Sequence, residues 1–212
     1  MKNVPSNVER RMPFHVLFPV SVLFVVFLLA GPLAGHVAGQ QGGSGEDTFR
    51  SWPHGELLWK PTRVAGRSRS LLGATFGFGL TPRTSVGGAG FQLTGRVLLG
   101  SPTDLHRTAL DFGYGGLVVE RLAPSHRSWA LAASLLLGAG HATARRDGVE
   151  LGSDNFGVLE PTISIVRALA GPLGVRVGGG YRFVFGVDDL DGVRPSDLRG
   201  ATLLLGLRLT GR

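Results

Sequence analysis

The sequence predicts an all-β fold, an eight-stranded antiparallel up-and-down transmembrane β-barrel preceded by a signal peptide. Three observations carry that prediction: an export pattern at the N-terminus, apolar residues at every second position over unusually long runs, and a second face poor in lysine and glutamate. The 212 residues contain no cysteine. Disulfide scaffolds, thiolate metal sites, thiol nucleophiles and lipoprotein anchoring are therefore excluded together.

Lys2, Arg10 and Arg11 precede an apolar stretch over residues 16–30, broken only by Pro19 and Ser21, and a small-residue stretch follows over 31–39. That order is charged region, apolar region, cleavage region, and Val37-Ala38-Gly39 marks the expected cut before Gln40. A stretch of fifteen residues falls short of the roughly 20 that a helix needs to cross a bilayer. Residues 1–39 read as a signal peptide, 40–55 as a flexible glycine-rich leader and 56–212 as the barrel. Removing Lys2, Arg10, Arg11 and Glu9 takes the formal net charge from +7 to +5. An exported chain of that balance has no use for nucleic acid as a partner.

The strands follow in order. A short first strand is expected over 56–63, weakened by Pro61, because proline within a sheet is confined to edges and irregular points. Segments 71–80, 108–121 and 128–143 alternate loosely. Over 86–99, Ala89, Phe91, Leu93, Val97 and Leu99 oppose Gly88, Gly90, Gln92, Thr94 and Arg96. Over 156–167, Leu159, Ile163 and Ile165 oppose Glu160, Thr162 and Ser164. The clearest segment is 173–187, where Val175, Val177, Tyr181, Phe183 and Phe185 oppose Arg176, Gly178, Gly180 and Arg182. The last, over 200–210, opposes Leu203, Leu205, Leu207 and Leu209 to Thr202, Gly206 and Arg208. A period of two is the signature of a strand, and these runs exceed the usual five or six residues.

Alternation alone fits a soluble barrel as well as a membrane barrel, so the composition of the second face decides. A soluble barrel turns lysine and glutamate outward, yet Lys60 is the single lysine beyond residue 39, and all but three of the 34 glycines lie there. The apolar face is therefore expected to meet lipid and the small, polar face to line a narrow lumen. The connections expected at 64–70, 81–85, 100–107, 122–127, 144–155, 168–172 and 188–197 alternate longer and shorter, which places both termini in the periplasm of a bacterial outer membrane.

Four segments carry a resemblance: Gly113-Tyr114-Gly115-Gly116-Leu117-Val118-Val119-Glu120, Val158-Leu159-Glu160-Pro161, Gly180-Tyr181-Arg182-Phe183-Val184-Phe185-Gly186-Val187 and Ser196-Asp197-Leu198-Arg199-Gly200. Over roughly residues 70–212 the chain resembles small bacterial outer-membrane β-barrel proteins of the porin-family, OmpX-like kind. The resemblance implies an eight-stranded barrel, delivery by the barrel-assembly machinery and no catalytic residue or cofactor. Such barrels usually end in an aromatic residue, and this chain ends Leu209-Thr210-Gly211-Arg212.

Arg96, Asp111, Glu160, Arg176, Arg182 and Arg208 are expected on the inward face as a salt-bridged lumen network, since charges in a narrow barrel must pair. A hairpin turn over 168–172 centred on Ala170 puts Glu160 opposite Gly180 and diagonal to Arg182, predicting a Glu160–Arg182 ion pair. Arg145 and Arg146 read first as a plain exposed pair, with contact to lipopolysaccharide phosphates as the alternative that guanidinium forks suit. His141 and Thr143 fall two apart on the outward face and read as polar residues of the interfacial belt; the alternative is a resemblance to the His–Ser base and nucleophile of lipid A deacylase barrels, with threonine in the serine's place and no orienting acid on the same face. Asp188, Asp189, Asp191 and Asp197 form an acidic loop without the spacing of a calcium loop, and read as solvated charge. Trp129, Tyr114, Tyr181 and Phe185 read as lipid-facing or girdle aromatics. No metal or cofactor is expected. The favoured function is a structural, lipid-interacting or surface-binding barrel that is not an enzyme; the alternatives are a narrow pore and a lipid-modifying enzyme using His141.

Overall fold

The computed structural model describes residues 53–99, 108–123, 128–146, 149–187 and 193–211. The signal peptide, most of the leader and Asp188, Asp189 and Asp191 lie outside the described residues. The strands are β1 (His54–Val64), β2 (Arg67–Thr81), β3 (Thr84–Leu93, continued by Val97–Leu99), β4 (Thr108–Leu122), β5 (Trp129–Arg146), β6 (Val149–Ala168), β7 (Leu173–Phe185) and β8 (Gly200–Thr210), with a one-turn helix α1 (Pro195–Leu198) before β8. Each strand pairs antiparallel with its sequence neighbour, and β1 pairs with β8, so the sheet closes on itself without an edge.

The outward face is the lipid-facing one. Leu57, Leu72, Leu117, Leu137, Ile163, Val177 and Leu203 are each more than half exposed, whereas their neighbours along each strand point into the lumen. In water such a belt would be a large aggregation-prone patch; in a bilayer it is the solvated surface. Trp129 and Tyr181 stand outward as expected, at 47% and 42% exposure.

Several expectations are corrected. Strand β3 is turned the other way: Phe91, Leu93 and Val97 are buried inside while Gly88, Gly90 and Gln92 face out. The reason lies on the neighbouring strands, since Phe76 of β2 covers the face of Gly88 and Phe91 packs on Tyr114 across the lumen wall. Tyr114 is accordingly a lumen residue, 5% exposed, rather than a girdle aromatic. Asp111 lies on the outward side of β4, opposite Thr143, because Leu110, Phe112 and Tyr114 take the inward positions. Arg96 sits in the interruption of β3, exposed and outside the lumen, where Gly95 adopts a φ of 83°.

The connections also differ. The loop expected at 64–70 is a tight turn at Ala65-Gly66, with positive φ at both residues as a primed two-residue hairpin demands. The loop expected at 144–155 is mostly strand, because β5 runs to Arg146 and β6 starts at Val149. The alternation of long and short connections is thus not the pattern of this barrel. Strand β1 is a full strand in spite of Pro61, which falls where the ladder to β8 is interrupted between Trp59 and Thr62. Pro161 occupies the matching gap between β6 and β7.

Candidate functional site in the barrel lumen

The lumen is filled in layers. At the end away from the termini, Val64, Leu110, Phe112, Val184, Val187, Val193 and Leu198 form an apolar layer. Leu198 comes from α1, so this short helix folds into the mouth instead of standing clear of it. Pro195 at the first turn pre-sets the helical φ, and Asp197 accepts the Arg194 backbone N–H at 2.8 Å. Toward the termini, Leu122, Ala130, Ala132 and Val166 make a second, smaller apolar cluster.

Between these layers lie the charges. Glu56 and Glu120 face Arg176 and Arg208: Arg176 reaches Glu56 at 3.2 Å and also Glu120, and Arg208 reaches Glu56 at 3.1 Å and Glu120 at 2.8 Å. Two acids and two cations cancel, which is the condition for burying them at all. Next along the lumen, Glu160 accepts from Lys60 Nζ at 2.9 Å, from Tyr114 Oη at 2.6 Å and from Thr202 Oγ1 at 3.1 Å. Lys60 also stands over the ring of Phe91, 3.5 Å from its centroid.

The expected Glu160–Arg182 pair is not the one formed. The β6–β7 turn centres on Gly171, whose φ of 58° favours glycine, so Thr162 rather than Glu160 faces Gly180. That shift sets Glu160 level with Arg182, yet Lys60 takes its carboxylate from across the lumen. Arg182, wholly buried, donates from Nε to the Leu198 carbonyl at 2.7 Å and from Nη2 to Thr62 Oγ1 at 3.5 Å, with its guanidinium over Phe112 and Tyr114. It ties α1 to the wall.

Of the six residues expected in the network, Glu160, Arg176, Arg182 and Arg208 are in the lumen, and Arg96 and Asp111 are not. Glu56, Lys60 and Glu120 were not anticipated. The available signal was the alternation Glu56, Leu58, Lys60, Thr62 against Leu57 and Trp59, with the one lysine beyond residue 39 among the inward set. Arg145 meets Glu150 loosely at 3.8 Å and Arg146 donates to Thr108 Oγ1 at 3.2 Å, both at the rim away from the termini. On the outward face His141 Nε2 lies 3.1 Å from Thr143 Oγ1, and its Nδ1 lies 3.1 Å from Asn155 Oδ1.

No family model matches the chain, and no curated protein matches it. Among solved structures, Neisserial surface protein A aligns with a TM-score of 0.55 at 12% identity, over 75% of this chain and 96% of that one. The chain has the fold of a small eight-stranded outer-membrane β-barrel. The Ail attachment invasion locus protein of Yersinia pestis aligns with a TM-score of 0.46 at 13% identity, over 74% of this barrel's chain and 97% of its own. The N-terminal β-barrel domain of Pseudomonas aeruginosa OprF aligns with a TM-score of 0.45 at 12% identity, over 74% and 96%.

Proposed function

We propose that this chain is a non-conducting barrel of the bacterial outer membrane that acts through its lipid-facing wall and its outer rim. The observation that carries the reading is the filled lumen. Every inward acid named above is spent on an inward cation, and α1 seals one mouth with Leu198 and the Arg182 hydrogen bond. A network so committed is a structural lock that sets strand register and fills the lumen between the described residues.

The rim away from the termini supports the second half of the reading. Arg63, Arg69, Arg96, Arg145, Arg146 and Arg194 gather there, at or beyond the strand ends. Guanidinium forks suit the phosphates of lipopolysaccharide, and this fits an orientation with that rim outside and both termini in the periplasm. The test is planar-bilayer recording of the refolded chain. Closed, featureless traces are expected. Stable open steps in the unmodified protein would replace the lock with a pore.

A further inference from the structure

At the rim that carries the termini, the β2–β3 hairpin and the end of β4 frame an open recess, well away from the arginines of the far rim. It is lined by Thr81, Pro82, Arg83, Thr84 and Arg121. Its backbone is tightly held. Thr81 pairs with Thr84 across the hairpin, and Thr81 Oγ1 accepts the backbone N–H of Arg83 at 3.3 Å and of Thr84 at 3.0 Å. The Leu122 N–H donates to the Arg83 carbonyl at 2.8 Å, which fastens the turn to the strand end that presents Arg121. Thr84 is the direct cross-strand partner of Arg121, so the two arginines flank one threonine on fixed supports.

The charge of this recess is unanswered. Arg83 and Arg121 are exposed, and among the described residues neither guanidinium has a hydrogen-bond or ion-pair partner. Glu56 and Glu120, the described acids toward the same end, point into the lumen and meet Arg176 and Arg208. Arg167 on the same rim differs, because its guanidinium lies 4.7 Å from the centre of the Trp129 ring. Toward the membrane midplane the wall turns apolar at once. Phe78, Val86 and Val119 make the next row across β2, β3 and β4, and Phe76, Gly88 and Leu117 the row after it. Phe78 and Leu117 are more than half exposed, and Phe76 covers Gly88 while meeting Phe78 edge-on at 6.1 Å between ring centres. Unanswered cations one row beyond an apolar face match a phospholipid, with phosphate at the rim and acyl chains along the wall.

We infer that Arg83 and Arg121 form a phosphate clamp for an anionic phospholipid of the periplasmic leaflet. The inference rests on the proposed orientation with both termini in the periplasm, since the leaflet on that side is built of phospholipid and lipopolysaccharide lies on the other. Guanidinium forks donate paired N–H groups to phosphate oxygens, and Thr84 stands between them on the same face with a hydroxyl to offer. The headgroup is selected by what the recess lacks. Among the described residues it holds no carboxylate to receive an ammonium. An ethanolamine headgroup therefore brings a like charge against two guanidiniums, whereas a glycerol headgroup brings the phosphate alone. The braced turn keeps both forks in place before the lipid arrives, so little order is lost on binding.

The experiment mixes the refolded full chain in detergent with equal amounts of phosphatidylglycerol and phosphatidylethanolamine of one acyl composition. A second arm adds purified lipopolysaccharide. Lipid retained on the protein is quantified by mass spectrometry. Phosphatidylglycerol should be retained over phosphatidylethanolamine by about tenfold, the scale of one charge-assisted hydrogen bond. Lipopolysaccharide should leave it in place, because its own rim is the far one. Arg83→Gln and Arg121→Gln should each cut phosphatidylglycerol retention by about tenfold, and Arg167→Gln should not change it. Variant folding is checked by heat-modifiable gel migration. Equal retention of the two phospholipids by the unmodified barrel, undiminished retention in Arg83→Gln and Arg121→Gln, displacement by lipopolysaccharide, or an equal loss in Arg167→Gln overturns the inference. A barrel that conducts yet keeps its phosphatidylglycerol loses the closed lumen and retains this site, and a silent barrel without the preference does the reverse, so the two readings fail separately.

Discussion

Lys60 illustrates how a single side chain organises the lumen, because one ammonium answers the Glu160 carboxylate and also caps the Phe91 ring. Removing one member of a dry ion pair strands the other's charge, at about 3–5 kcal/mol. Lys60→Met is therefore expected to destabilise by that amount in a urea titration of the vesicle-inserted barrel. Lys60→Met combined with Glu160→Gln should cost less than the two singles added. Arg182→Gln and Glu160→Gln should couple more weakly than the Lys60 and Glu160 changes, since Arg182 bonds to Leu198 and Thr62 and forms no ion pair with the carboxylate it faces. On the outer wall, Val177→Arg should cost about 2–4 kcal/mol near the midplane. Gly178 beside it looks like a neutral lumen position by alternation alone. It is not, because a Cβ there would come within 2.7 Å of the Ser164 Cα, so a useful inward control is Ser164→Ala, expected to cost far less. The inward charges of β6, β7 and β8 were legible in the sequence because apolar neighbours framed them without exception. Asn155 was not, because it fell in a polar stretch that reads as a loop when only one chain segment is considered.

At the scale of elements, the sequence was clearest where one face is uniformly large and apolar, as in β7 and β8. It was least clear where glycine occupies the lipid side, as in β3, because a face of Gly88 and Gly90 gives no hydrophobic signal and acquires its apolar cover from Phe76 on another strand. Strand length was underestimated in β5 and β6 for a related reason, since toward Arg146 and Val149 they lose the apolar alternation while keeping the ladder. That projecting hairpin offers a test of orientation. With impermeant thiol reagent on intact cells, Arg146→Cys should be labelled and Ala170→Cys should not; the opposite pattern would invert the barrel. The α1 segment offers a test of the seal. Leu198→Asp places a carboxylate in the apolar layer, which costs more than the layer supplies, so α1 should leave the mouth and conductance steps should appear in planar bilayers that the unmodified chain leaves silent.

Over the whole molecule, the sequence carried the architecture and strand number, while the pairing inside the lumen was legible only in part. Strand number follows from periodicity, a local property. Pairing depends on which side chains meet across a space that four or more strands enclose, and on turns such as Gly171 that move a register by one position each side. Closure of β1 on β8 has a further consequence, for the route by which the chain reaches this state. The contact joins His54 to Thr210 and is among the longest in sequence that the chain makes. A nascent chain lacking its last strand would leave β1 and β7 as open edges, with backbone donors and acceptors ready to pair with another molecule. Closure therefore cannot be completed from the N-terminus during synthesis, and the slow step is expected to be the meeting of the two ends.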